Sequence, residues 1–202
     1  MSKHAFNQAA RFFMETVERV RPQQWDDPGL GVWTVRDLTG HTTRALMTAQ
    51  EYSAKPAARL DIAGPVEYYH RALAAPDINE QIAERGRKTA EQLTDDPAVF
   101  VRQLAMERSV PAVNSAPNDA VITTQVGGMR LTDYLLTRVL ELTVHTLDLA
   151  AATGQQPRPP RDAMAATLRL LADLALDSGH AQELALLATG RGIVSNRFSV
   201  LE

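Results

Sequence analysis

The chain has 202 residues, 45% of them hydrophobic, no cysteine, and 21 Lys+Arg against 24 Asp+Glu, a formal charge of −3. That length suffices for one buried core without covalent staples, and the missing cysteine excludes disulfides, cysteine-ligated zinc, iron–sulfur clusters and any cysteine nucleophile of the protein's own. The slightly acidic balance offers nothing to a nucleic-acid backbone, and no apolar run nears the ~18–20 residues of a membrane span. The N-terminus lacks the apolar stretch and small-residue cleavage site of a signal peptide, so a cytoplasmic setting is expected.

Phe6, Ala9, Phe13 and Val17 recur at helical spacing and predict a first helix, capped by Ser2 and ending near Pro22. Residues 23–31 are turn-like. Thr34 with Asp37 three residues on resembles a capping box and starts a long helix from Val35 to about Ser53. Pro56 and Pro65 bound a looser segment. Two or three shorter helices, broken at Pro76 and Pro97, are expected as far as Ser109, then a loop from Val110 to Pro117. The β-branched run Val121 to Val126 followed by Gly127 and Gly128 predicts a short strand or hairpin. Thr132 is the expected cap of a second long helix, about Asp133 to Thr153, stopped by Gly154 and the prolines at 157, 159 and 160. A helix over about 161–176, a short one near 181–187 and a terminal strand within 192–201 complete the reading. The class is mostly α, with four principal helices in a bundle.

The second long helix is apolar almost all round, which marks it as buried. One line breaks the rule. Tyr134, Arg138, Glu141, His145 and Asp148 follow at spacings of four, three, four and three, and therefore share a face. Charge buried without partners costs several kcal/mol per group. Two readings satisfy that demand. One is an internal ion-pair ladder, Arg138 with Glu141 and His145 with Asp148. The other is a metal site, because Glu141 and His145 lie one turn apart and both reach one cation.

His41 lies in the other long helix. Alone it reads as a packed, hydrogen-bonded histidine. If the two long helices pack together it faces Glu141 and His145, and three protein ligands with a fourth position open is the arrangement of a catalytic zinc. Asp37 and Asp148 are then candidates to orient the two imidazoles, although Asp37 also reads as the helix cap alone. His4, His70 and His180 lie off this seam and read as surface or packing residues.

The run Trp33-Thr-Val-Arg-Asp-Leu-x-x-His41 resembles the first-histidine motif of the mycothiol-dependent maleylpyruvate isomerase family, within the DinB-like metalloenzyme superfamily. The run Arg138-x-x-Glu141-x-x-x-His145-x-x-Asp148 resembles its second motif. The similarity covers about residues 5–155. It implies a DinB-like four-helix bundle over 1–155 that holds one divalent metal, usually zinc, through His41, Glu141 and His145. It also implies a low-molecular-weight, mycothiol-like thiol as cosubstrate, activated by the metal for S-transfer or thiol-assisted isomerisation of an electrophile.

Arg138, Arg44 and Tyr134 are the candidate catalytic residues beside that site. Either arginine is placed to hold a carboxylate, or is a structural or solvated charge. The archetypal isomerase carries a larger C-terminal domain than the residues that follow Gly154 here, so its substrate does not carry over. Residues 156–202 are expected to pack on the bundle or on a second copy, as a homodimer. No nucleic acid or membrane is expected as partner. The alternative is a non-catalytic bundle that binds metal or a small molecule.

Overall fold

The computed structural model describes residues 1–93, 96–191 and 199–200. Its elements in chain order are α1 (Ser2–Val17), α2 (Val35–Ser53), α3 (Pro65–Ala72), α4 (Ile78–Ala90), α5 (Pro97–Arg102), α6 (Val110–Ser115), β1 (Val121–Thr124), β2 (Gly127–Arg130), α7 (Leu131–Ala152), α8 (Arg161–Asp177) and α9 (Ala181–Ala188). A short 3-10 turn occupies Pro22–Gln24. The fold is a mostly helical bundle with one small antiparallel hairpin, compatible with the DinB-like architecture.

α1 forms because its apolar stripe finds a partner. Phe6, Ala9, Phe13 and Val17 are all fully buried, and α1 lies along α7. Each large side chain so buried contributes roughly 1.5–3 kcal/mol. Two expectations at its ends are corrected. The helix already includes Ser2, and Met1 is the cap residue without a side-chain bond. It stops at Val17 rather than near Pro22, because the chain turns into the Pro22–Gln24 segment.

The capping box of α2 is present. The Thr34 hydroxyl accepts from the Asp37 N–H at 3.1 Å, and Asp37 Oδ2 accepts from the Thr34 N–H at 3.1 Å. A cap of this kind is worth about 1 kcal/mol. The buried threonines of α2 return their hydroxyls to carbonyls one turn back: Thr39 to Val35, Thr42 to Leu38, Thr43 to Thr39. Their polar atoms are thereby satisfied inside the core.

α2 crosses α4 very closely, and Gly40 permits it. A Cβ on Gly40 would lie 2.5 Å from the Ala90 nitrogen and 2.7 Å from the Gly86 carbonyl oxygen, both backbone atoms. Gly86 in turn sits against His41, whose Cβ would be 3.2 Å from a Cβ at 86. This crossing fixes the height of His41 in the bundle.

The loop expected at 110–117 is helical as far as Ser115, a further correction. Residues 103–109 form a π-helical segment that joins α5 to α6, and the Val110 N–H bonds to the Ala105 carbonyl five residues back. The wider register accommodates Pro111, which has no N–H to give to an α-helical ladder.

β1 and β2 pair antiparallel, Val121 opposite Arg130 and Thr124 opposite Gly127. The segment before α3 closes over them: isolated bridges join Pro56 to Ile122 and Ile62 to Met129. α7 starts one residue before the expected cap. Thr132 lies inside the helix and does not cap it; the Leu131 N–H bonds to the Ala120 carbonyl instead, because the hairpin delivers the chain directly into the helix. Gly154, with φ +70°, follows the end of α7 as the spacing predicts.

α8 packs on α7, α1 and α3. The face it buries carries Ala163, Thr167, Leu170 and Leu174, while Leu168 and Leu176 point outward. His70 on α3 and Asp177 at the end of α8 approach to 2.6 Å. The terminal strand expected within 192–201 falls outside the described residues except Ser199 and Val200, which are not in a strand. Among the described residues no helix is long and apolar enough to cross a membrane.

Candidate metal centre

α2 and α7 lie side by side in the bundle. Their polar residues meet at one point. His41 Nε2 lies 3.2 Å from His145 Nε2, His145 Nε2 lies 3.3 Å from Glu141 Oε2, and His41 Nε2 lies 3.8 Å from the same oxygen. The three side chains are largely withdrawn from solvent, between 15% and 19% exposed.

This triangle fits a metal. Zinc bonds to nitrogen and oxygen of ~2.0–2.1 Å in a tetrahedron give ligand–ligand edges of roughly 3.3–3.4 Å. The observed edges bracket that value. The donors are two imidazoles and a carboxylate, a set suited to a divalent ion of borderline character. His41, Glu141 and His145 are able to hold one ion between them.

The surroundings set the protonation of the triad. His145 Nδ1 lies 3.0 Å from Asp148 Oδ2. That bond places a proton on Nδ1 and leaves Nε2 facing Glu141 and His41. Burial disfavours a charged His145, but the bonds to Asp148 and Glu141 outweigh it and raise its pKa to about 9. Burial likewise works against the Glu141 carboxylate, and its bonds to His145 and His41 hold it well below the usual range. His41 is lowered by burial first, with the His145 charge adding to it. Three converging acceptors call for a cation among them, and the fold offers either one proton or one metal ion.

Asp37 does not orient His41. It is spent on the α2 cap, and His41 Nδ1 has no hydrogen-bond partner among the described residues. The imidazole is held by stacking instead, with the Trp33 ring centroid 4.5 Å away and the planes 28° apart.

The ladder reading is half met. His145 pairs with Asp148, but no ion pair joins Arg138 to Glu141. The Arg138 guanidinium lies over the Tyr134 and Tyr68 rings, 5.0 and 5.7 Å from their centroids. Tyr134 has no surface in the site. It is fully buried beneath Arg138 and serves as its support, which corrects its placement among the catalytic candidates. Arg44 and Arg138 both line a cavity of about 100 Å³ that opens on His41 and Glu141, together with Arg85.

Sequence reasoning missed Tyr69. Its hydroxyl donates to Glu141 Oε1 at 2.9 Å, so the second carboxylate oxygen is held while Oε2 faces the histidines. Tyr69 lies on α3, 72 residues from its partner, and no spacing links the two. Burial and the Glu141 charge raise its pKa far above the ordinary phenol value, so it stays a donor. His70, read as a surface or packing residue, lies on the wall of a larger cleft of about 820 Å³ that also opens on the triad. His4 and His180 remain distant, near Asp162 and Glu183.

The helical bundle, with two histidines and a glutamate on facing helices that are able to hold one metal ion, is compatible with the DinB-like type. The chain belongs to the family described as the mycothiol maleylpyruvate isomerase N-terminal domain, whose family model matches residues 6–150. No curated protein and no solved structure matches it. The matched span ends within α7, so α8 and α9 lie beyond it.

Proposed function

We propose that this protein is a divalent-metal-dependent enzyme that uses a low-molecular-weight thiol for S-transfer or thiol-assisted isomerisation. The observation that carries the reading is the triangle of donor atoms at 3.2, 3.3 and 3.8 Å, on two helices of a chain from a family described by a mycothiol-dependent isomerase. Zinc is the metal the donor set suits best. Bound there, it would supply Lewis acidity and a lowered thiol pKa, which the protein cannot provide from a cysteine of its own.

The chain's own groups have separable tasks. His41, Glu141 and His145 would hold the ion. Asp148 fixes the His145 tautomer, and Tyr69 keeps the Glu141 carboxylate in one rotation. Arg44 and Arg138 border the site from the small cavity, where a guanidinium would hold an acid group of either reactant. Among the described residues Arg44 makes no ion pair of its own; burial first, then the Arg85 charge, hold its pKa below the usual value. The thiol is small and soluble, and a cytoplasmic setting and a homodimer through α8 belong to the same reading.

Metal content decides first between this enzyme and a metal-free bundle whose seam is only an ion-pair network. Protein purified without chelator and reloaded with zinc is expected to hold one equivalent, and His145→Ala to hold none. Less than half an equivalent in the parent, or full retention in the variant, removes the proposal. Incubation of the zinc-loaded chain with a panel of thiols and electrophiles then reads activity. Metal without any conjugate or isomer formed would favour a non-catalytic metal-binding bundle.

A further inference from the structure

A groove of about 540 Å³ runs along α1, and none of its lining residues lines either cavity at the triad. α1 presents Asn7, Gln8, Arg11 and Glu15 to it, from positions that share one helical face. Apolar surface comes from buried Phe12 on α1, from Met106 in the π-helical segment, from Val110 at the start of α6 and from Pro160 before α8. A volume of ~300–1,000 Å³ that joins apolar surface to a few polar groups is the form of a small-molecule site, and π-helical segments are frequent at functional sites. The groove holds charges of both signs that the chain itself does not answer. Among the described residues the side chains of Arg11, Glu15 and Arg158 make no ion pair and no hydrogen bond. His4, by contrast, is engaged, with Gln8 at 2.9 Å and Asp162 at 3.3 Å. The amide oxygens of Asn7 and Gln8 are buried without a donor, a state rare enough in folded proteins to call for a bound group.

We infer that this groove binds a free α-amino acid with a large apolar side chain. Arg11 and Arg158 take the carboxylate, Glu15 takes the ammonium, and Phe12, Met106, Val110 and Pro160 cover the side chain. A carboxylic acid alone would leave Glu15 without a counter-charge, and an amine alone would leave two guanidiniums so. A ligand that carries both signs answers all three groups. The spacing suits it. Side chains at i and i+4 stand ~5–6 Å apart at Cβ, and the long Arg11 and Glu15 chains close from there onto the neighbouring charges of a zwitterion. The ammonium also brings N–H donors to a wall with two unmatched acceptors. Arg158 and Pro160 lie beyond the family-matched span of 6–150, so one of the two arginines and part of the apolar surface come from outside the family's domain. The groove stands apart from the proposed metal chemistry, and neither depends on the other.

The experiment is isothermal titration calorimetry of the full chain, metal-free and zinc-loaded, with L-phenylalanine as the probe. One saturable site is expected, of equal affinity in both forms and in His145→Ala. Three analogues are each expected to bind at least tenfold more weakly: 3-phenylpropanoate lacks the ammonium, 2-phenylethylamine lacks the carboxylate, and glycine lacks the side chain. Arg158→Ala and Glu15→Gln are expected to weaken binding of L-phenylalanine at least tenfold. Their melting temperatures should stay near the parent's, because neither side chain supports the core. Glu15→Gln is also expected to bring L-phenylalanine and 3-phenylpropanoate to similar affinities. Arg169→Ala, at an exposed position of α8, is expected to change nothing. No saturable binding by the parent, a singly charged analogue that binds as tightly as the amino acid, or unaltered affinity in either groove variant would overturn the inference. So would binding by the zinc-loaded chain alone, since the amino acid would then be chelating the metal.

Discussion

His145 Nδ1 lies 3.0 Å from Asp148 Oδ2, three residues further along the same helix. The contact decides which ring nitrogen is free to meet Glu141 and His41. Asp148→Asn retains the shape but offers an amide that can present either group to Nδ1, so the tautomer is no longer fixed. Zinc affinity, measured by competition with a chromophoric chelator, is expected to fall about 10–100-fold, with the melting temperature nearly unchanged. An affinity equal to the parent's would show that Asp148 does not position the ligand.

Tyr69→Phe removes one oxygen and little else. The ring stays packed against Tyr68, and Glu141 Oε1 loses its donor. A hydrogen bond to a charged group is worth roughly 1.5–3 kcal/mol. A loss of that order is expected, shared between a lower melting temperature in the metal-free chain and weaker zinc binding. If both are unaffected, the contact does not hold the carboxylate.

Gly40→Ala is expected to damage the site through the backbone. The added Cβ would meet the Ala90 nitrogen and the Gly86 carbonyl at 2.5 and 2.7 Å, atoms that no rotamer change moves. Overpacking of this kind costs about 1–3 kcal/mol or more, and the shift of α4 should also disturb His41 and its Trp33 neighbour. Denaturant unfolding and zinc titration should both register the change. Gly64→Ala, where nothing lies within 4 Å of the added Cβ, is the control and should be close to neutral.

Asp61 ties the hairpin down. Its Oδ2 accepts the Gly128 N–H at 2.8 Å, and that bond first, then the Arg59 charge, hold its carboxyl below the ordinary range. A lowered folded value means that its contribution is present above the unfolded pKa of ~3.9 and is lost as the pH falls through the folded one. Melting curves from pH 7 down to pH 2 should therefore show Asp61→Asn less stable than the parent at neutral pH, with the two converging in acid. A constant gap across that range would rule out the carboxylate as the cause.

Local signals were legible because they act within a turn or two of the chain. Thr34 and Asp37 cap α2 as their spacing predicts, Gly154 stops α7, and the β-branched run before Gly127 forms the hairpin. The polar line on α7 marked the site for the same reason, since helical periodicity alone puts Glu141 and His145 on one face. Where a neighbour in space supplied the hydrogen bond, local reasoning failed. Ala120 caps α7 in place of Thr132, and a π register carries the chain past Pro111.

By itself, then, the sequence determined that any metal here is held by nitrogen and oxygen, and which helices carry His41, Glu141 and His145. Only the tertiary structure decided that their donor atoms converge within 3.8 Å, that Tyr69 rather than a neighbour on α7 holds Glu141, that Tyr134 is buried support, and that Arg44, Arg85 and Arg138 gather in a cavity that His41 and Glu141 also line. The physical reason is reach. Helical spacing fixes direction over a few residues, whereas the meeting of α2, α3, α4, α7 and α8 depends on how their buried faces pack, down to the missing Cβ of Gly40.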